Sequence, residues 1–161
     1  MVPTFALVSV PVFVLLYMSG PCIGYGPAPP DCRTLNKWDG NYDDITRVIF
    51  AQQYERITGR WRPYNCDVER VAREYFNATE PALKEISAPV GTSCKGFSHE
   101  REKEEPKPGE DYTQLNNFKL AMTGIRSWQK TDKTQVEDAT TYGCHYNRNA
   151  TTGRVVCVFC K

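Results

Sequence analysis

The chain has 161 residues, with 20 Lys and Arg against 19 Asp and Glu, two His and a formal net charge of +1. So close a balance gives no net field to draw nucleic acid or an anionic membrane, and neither partner is implied. Seven cysteines in a chain of this size point instead to an oxidising compartment and a disulfide framework.

The first charged residue is Asp31, behind an apolar run from Phe5 to Leu16 that ends in small residues around Ser19 to Gly24. This is the pattern of a secretory signal peptide, residues 1–24, with Cys22 and Gly24 as the small residues before the cut. The run is shorter than the about 20 apolar residues a membrane-crossing helix needs and is interrupted by Pro11, so no membrane span is expected. Cleavage removes Cys22 and leaves Cys32, Cys66, Cys94, Cys144, Cys157 and Cys160, an even set suited to three disulfides. Six cysteines allow 15 pairings, and the sequence does not choose among them. The sequons Asn77-Ala78-Thr79 and Asn149-Ala150-Thr151 agree with export, making Asn77 and Asn149 expected glycosylation sites. Residues 25–161 suit a single domain with a core of its own, and a monomer is expected.

Tyr25 to Pro30 is a Gly/Pro leader that Cys32 pins to the body. Asp43 or Asp44 caps a first helix running to about Ile57, with Ile45, Val48, Ile49 and Ile57 on one face and Gly59 ending it. A second helix starts in Tyr64 to Glu69, capped by Asn65 or Asp67, and its Val68, Val71, Ala72 and Tyr75 fall at i, i+3, i+4 and i+7. Pro81 to Ile86 reads as a further helical turn, and Ser87 to Gly109 as a polar, solvated loop holding Cys94 and His99. The longest helix is expected from about Thr113 to Lys130, with Leu115, Phe118, Met122, Ile125 and Trp128 as its core stripe.

The tail, Ala139 to Lys161, has two apolar runs around the loop Asn147 to Gly153, the signature of a β-hairpin. Val155, Cys157 and Phe159 alternate with Val156, Val158 and Cys160, and both sets are apolar. That pattern predicts a strand covered on both faces. The fold class is therefore α+β, with helices packed on a short antiparallel sheet.

In that order the landmarks resemble the CAP superfamily: cysteine-rich secretory proteins, plant pathogenesis-related proteins, venom allergens and, most of all, the SCP/TAPS secreted proteins of parasitic nematodes. Cys66-Asp67-Val68-Glu69 with Ala72 is similar to the family's Cys-Asp-Leu-Glu helix start. Cys94, Phe97, His99 and Gly109-Glu110-Asp111-Tyr112 follow the order of its cysteine, aromatic, histidine and Gly-Glu-Asn turn. Ala121 to Trp128, Thr134-Gln135, Gly143-Cys144 and Val155-Val156-Cys157 complete the series. The resemblance covers about Cys32 to Cys160 and implies a small, disulfide-stapled α-β-α sandwich.

It also implies a cleft with two histidines and two glutamates, which in some members hold a divalent metal. His99 matches the first histidine and Glu110 the Gly-Glu-Asn glutamate. The second glutamate falls on Thr131, and the second histidine position holds Asp132 and Lys133. The connection from Trp128 to Thr134 is far shorter than in the family. One imidazole and one carboxylate, even with Asp132 as a third ligand, give a degenerate metal site at best, so no cofactor is expected beyond weak divalent-metal binding. The reading of His99 as a loop histidine and Glu110 as a helix-start acid is the stronger one. His145 reads as a strand residue, and Cys157-x-x-Cys160 as two structural half-cystines rather than a redox pair.

The expected function is that of a secreted, non-enzymatic binding protein acting on an extracellular host protein or a lipid. The alternatives are a small secreted hydrolase using His99 with His145 or Glu110 as acid and base, and a disulfide-rich inhibitor module.

Overall fold

The computed structural model describes residues 26–36, 44–77, 86–87, 93–105, 112–148 and 152–161. Its helices are α1 (Cys32–Asn36), α2 (Asp44–Thr58), α3 (Cys66–Asn77), α4 (Tyr112–Thr131) and α5 (Lys133–Glu137). The strands β1 (Ile86–Ser87), β2 (Ser93–Glu102), β3 (Thr141–Arg148) and β4 (Thr152–Cys160) form one antiparallel sheet in the order β1-β2-β4-β3. The signal peptide, residues 78–85, Glu110 and the loop sequon at Asn149 lie outside the described residues.

The β3–β4 hairpin forms as expected, and β4 lies between β2 and β3 with both faces covered. Val155, Cys157 and Phe159 share one face with Phe97 of β2 and with Tyr142, Cys144 and Tyr146 of β3, and there they meet Phe50 and Tyr54 of α2 and Leu120, Ile125 and Trp128 of α4. An aromatic stack joins the layers, with the Tyr142 ring 4.5 Å from Tyr54 and 5.9 Å from Phe159. Val156, Val158 and Cys160 point the other way with Cys94, and are covered by Ala72, Val68, Val71 and Tyr75 of α3. The sheet is the middle layer of an α-β-α sandwich, and each β4 parity set serves one helical layer.

Three sequence expectations change. The segment read as a polar loop contains a ten-residue strand, β2, hydrogen-bonded to β1 on one side and along its length to β4 on the other. Lys95, Arg101 and Glu102 carry their charges to solvent or to partners on flexible stems, which hides a buried strand from hydropathy. In α2 the buried positions are Thr46, Arg47, Phe50, Gln53 and Tyr54, while Ile45 is exposed. In α4 the buried stripe is Asn117, Leu120, Ala121, Gly124, Ile125 and Trp128, displaced from the expected line through Leu115, Phe118 and Met122. Two of these buried polar side chains satisfy each other across the helices: Asn117 Nδ2 donates to Thr46 Oγ1 at 3.0 Å, and Tyr146 donates its hydroxyl to Asn117 Oδ1.

Asn65 caps α3, its Oδ1 accepting from the backbone N–H of Asp67 and Val68. Gly59, at φ +69°, closes α2 as a left-handed glycine. Asp132 caps the short α5 by accepting from the Gln135 N–H at 3.0 Å.

The disulfides are Cys32–Cys66, Cys94–Cys160 and Cys144–Cys157. The first ties the leader and α1 to the start of α3. The other two join residues directly opposite in the ladder, so β4 is stapled to β2 on one face and to β3 on the other. Residues three apart on a strand point to opposite faces, so Cys157 and Cys160 cannot pair with each other, and the redox spacing of Cys157-x-x-Cys160 is incidental. In a chain-entropy account a span of 13 residues gives about 3 kcal/mol and one of 66 about 4.4 kcal/mol, so the Cys94–Cys160 bridge constrains the unfolded chain more than Cys144–Cys157.

Candidate functional site

His99 lies on β2, not in a loop, opposite Val155 and therefore on the face covered by α4. Its Nε2 is 2.9 Å from Thr123 Oγ1. That hydroxyl donates its own proton to the Lys119 carbonyl at 2.8 Å, so it accepts from the ring, which places the imidazole proton on Nε2. Half-burial, with the charge of Arg101 adding to it, holds the His99 pKa below the usual histidine range.

His145 lies on β3 opposite Val156, on the face covered by α3. Its ring meets Phe76 edge-on at 5.2 Å between centroids, and burial, aided by Arg73 and Arg47, pushes its pKa down to about 4. The two imidazoles that a hydrolase would bring together are thus on opposite sides of the sheet.

Three further positions matched to the family cleft, Thr131, Asp132 and Lys133, are described, and each is engaged in a structural bond or ion pair. Thr131 is exposed at the end of α4 and donates its hydroxyl to the Ser127 carbonyl at 3.0 Å. Asp132 accepts both from the Gln135 N–H, as the cap of α5, and from Lys95 Nζ at 2.8 Å, and the Lys95 bond leads the causes that lower its pKa. Lys133 is exposed and reaches toward Glu137. Lys95 and His99 are four residues apart on β2, a separation of about 13 Å. Thr123, at His99, and Thr131 are eight residues apart on α4, about 12 Å. Two independent rulers therefore put the Thr131–Lys133 corner far from the His99 ring. Among the described residues no three His, Cys, Asp or Glu side chains converge on a metal-sized site, and His99, Thr131, Asp132 and Lys133 do not by themselves form one.

Sequence reasoning missed a buried polar network. Arg47 of α2 donates from Nε to Glu69 Oε2 at 2.8 Å and from its terminal nitrogen to Oε1 at 2.9 Å, and both side chains are buried. Tyr64 donates to Glu69 Oε2 at 2.6 Å, and its hydroxyl accepts from the Cys144 N–H at 3.0 Å. The network ties α2, the start of α3 and β3 across the molecule. Glu69 of the Cys-Asp-x-Glu motif was legible, but its partner was hidden in a helix read by its apolar residues.

The model for a family described as Ancylostoma-associated secreted protein related matches residues 32–159. The chain belongs to that family. The match spans the first disulfide cysteine to Phe159, one residue short of the end of β4, and bears out the resemblance to CAP proteins of the nematode type. Among solved structures, the Ancylostoma-secreted protein Ac-ASP-7 is 19% identical, with TM-score 0.46, 75% of this chain and 71% of that one covered. NaASP2, in a structure described as containing Zn²⁺, is 14% identical, with TM-score 0.49 and coverages of 76% and 82%. A manganese-bound form of Ac-ASP-7 is 17% identical, with TM-score 0.39 and coverages of 74% and 70%. No curated protein matches the chain. This member of the secreted-protein-related family has the three disulfides and the sandwich of its class, and no described helix is long and apolar enough to cross a membrane.

Proposed function

We propose that the protein is exported with loss of residues 1–24, is glycosylated at Asn77 and Asn149, and acts outside the cell as a monomeric, non-enzymatic binding protein. Its target in this reading is an extracellular host protein, with lipid as the second class, and its contact surface is the set of loops carried by the stapled sheet. The observation that carries the reading is the separation of His99 and His145 on opposite faces of one sheet, which leaves no imidazole pair for general acid–base work. The bonds of His99 to Thr123 and of Asp132 to the Gln135 N–H and Lys95 support it further, as those groups already have structural work. His99 and Glu110 are in this view remnants of a metal-binding tetrad, with weak divalent-metal affinity.

The test is a pull-down from host serum and cell extract with the glycosylated protein secreted from eukaryotic cells, run beside a lipid-binding screen. Amino-terminal sequencing, thiol titration and enzymatic deglycosylation check the export claims on the same material. The expected result is one saturable partner retained in His99→Ala and His145→Ala. Hydrolytic turnover abolished by either substitution would refute the reading, as would retention in the membrane with an intact amino terminus.

A further inference from the structure

A groove of about 310 Å³ runs between α2 and α4, lined by Gln53, Arg56 and Ile57 on one helix and by Met122, Arg126 and Gln129 on the other. We propose that it binds a small polar ligand through a phosphate- or sulfate-type oxyanion.

Three features carry this assignment. Gln53 is 5% exposed, yet its amide has no hydrogen-bond partner among the described residues. Buried amides are nearly always paired, so an orphan lining a cavity marks a place where a ligand supplies the missing partner. Arg56 and Arg126 are exposed at the same groove and, among the described residues, have no carboxylate partner and share the lining with no acidic side chain. Two guanidinium groups beside one cavity repel each other until an anion lies between them, and their planar forks match the oxygens of phosphate or sulfate. Finally, Gln129 is oriented by donating from Nε2 to Glu137 Oε1 at 2.9 Å, and Ile57 and Met122 supply an apolar wall against which the body of a small molecule can rest. The inference concerns the helical layer away from the sheet and stands independently of the host-protein reading.

The experiment titrates the intact secreted chain calorimetrically with inorganic phosphate, galactose 6-sulfate and palmitate, and records the melting temperature with each. Saturable one-site binding of phosphate or the sulfate ester is expected, and the preference between them identifies the natural oxyanion. Arg56→Gln and Arg126→Gln should each weaken binding about tenfold, in line with the loss of one charge-assisted hydrogen bond. Gln53→Leu should abolish the ligand-induced rise in melting temperature while raising that of the free protein, because it removes an unpaired buried amide without emptying its space. A merely structural Gln53 would show the reverse, a lower melting temperature in the free variant, and that result overturns the assignment. So would oxyanion binding indifferent to both arginine substitutions, no saturable oxyanion binding at all, or palmitate displacing the oxyanion. The arginine variants alter exposed positions, so the test holds even if Gln53→Leu does not fold.

Discussion

Arg47 and Glu69, 22 positions apart, form a two-pronged ion pair with both side chains almost wholly out of solvent. Removing one member leaves the other charged and buried, which typically costs about 3–5 kcal/mol, whereas replacing both with apolar residues of similar volume restores much of the loss. Arg47→Met and Glu69→Leu should therefore each lower the urea midpoint sharply, and the double variant should recover at least half of the larger loss. Tyr64→Phe, which removes one hydrogen bond to the carboxylate and the acceptor for the Cys144 N–H, should fall between the parent and the singles. Additive losses in the double variant would show that the pair is not coupled as the geometry requires.

The approach of β3 to α3 gives a second test. A Cβ at Gly143 would meet the Glu69 nitrogen at 2.3 Å, the Val68 carbonyl carbon at 2.7 Å and the Asn65 oxygen at 2.8 Å, all backbone atoms that cannot move aside. Gly143→Ala should cost about 3 kcal/mol or more, at or above the upper end of ordinary overpacking, and should cut secretion. Gly59→Ala meets open space and is opposed only by the left-handed backbone, so it should cost about 1 kcal/mol. Equal melting temperatures for the two variants would contradict this ordering.

These contacts also show what was legible in the sequence. The β3–β4 hairpin was readable because β4 is apolar at both parities, and α3 because Val68, Val71, Ala72 and Tyr75 follow its turn. Strand β2 was not: it buries Cys94, Gly96 and Phe97 in a segment otherwise dominated by polar and charged letters. With β2 unseen, the pairing of Cys94 with Cys160 could not be derived, since it follows from the register of that strand against β4. For the same reason the separation of His99 from His145 was invisible, because it depends on strand parity rather than on residue type. The groove between α2 and α4 rests on Gln53, Arg56 and Arg126, polar residues that hydropathy assigns to water, and only the helix packing distinguishes the buried one from the exposed two.

The half-buried histidine of β3, His145, makes stability depend on pH. The His145 pKa falls from an ordinary value of 6.5 to about 4 in the folded protein, so between those values the unfolded chain binds more protons. Its contribution is therefore complete above about pH 6.5 and is lost as pH falls toward 4, by about 3 kcal/mol at most. His99, lowered by burial and Arg101, adds a slope of the same sign, while Asp132, lowered chiefly by its bond to Lys95, acts in a more acidic window. Urea midpoints measured from pH 4 to 7 should rise with pH, and His145→Phe should flatten much of that rise. A slope unchanged in the variant would mean that the ring is not desolvated as described.

The last prediction concerns the degenerate cleft. Supplying the two missing ligand types by Thr131→Glu and Lys133→His follows directly from the family pattern, but the geometry argues against success. Both positions are at the Lys95 end of β2, while zinc requires ligand atoms within about 2.0–2.2 Å of one point, a span that no side chain closes across about 12 Å of helix. His99 also directs its Nε2 proton at Thr123 and would have to surrender that bond to coordinate through the same nitrogen. The double variant should thus bind Zn²⁺ no more tightly through His99 than the parent does, as read by calorimetric titration with and without His99→Ala. Thr123→Val, which frees the ring, should raise any His99-dependent affinity more than the two added ligands do. A gain of about tenfold or more in the double variant that His99→Ala removes would mean that the helix end and the strand histidine approach each other in solution, and would reopen a metal-based activity.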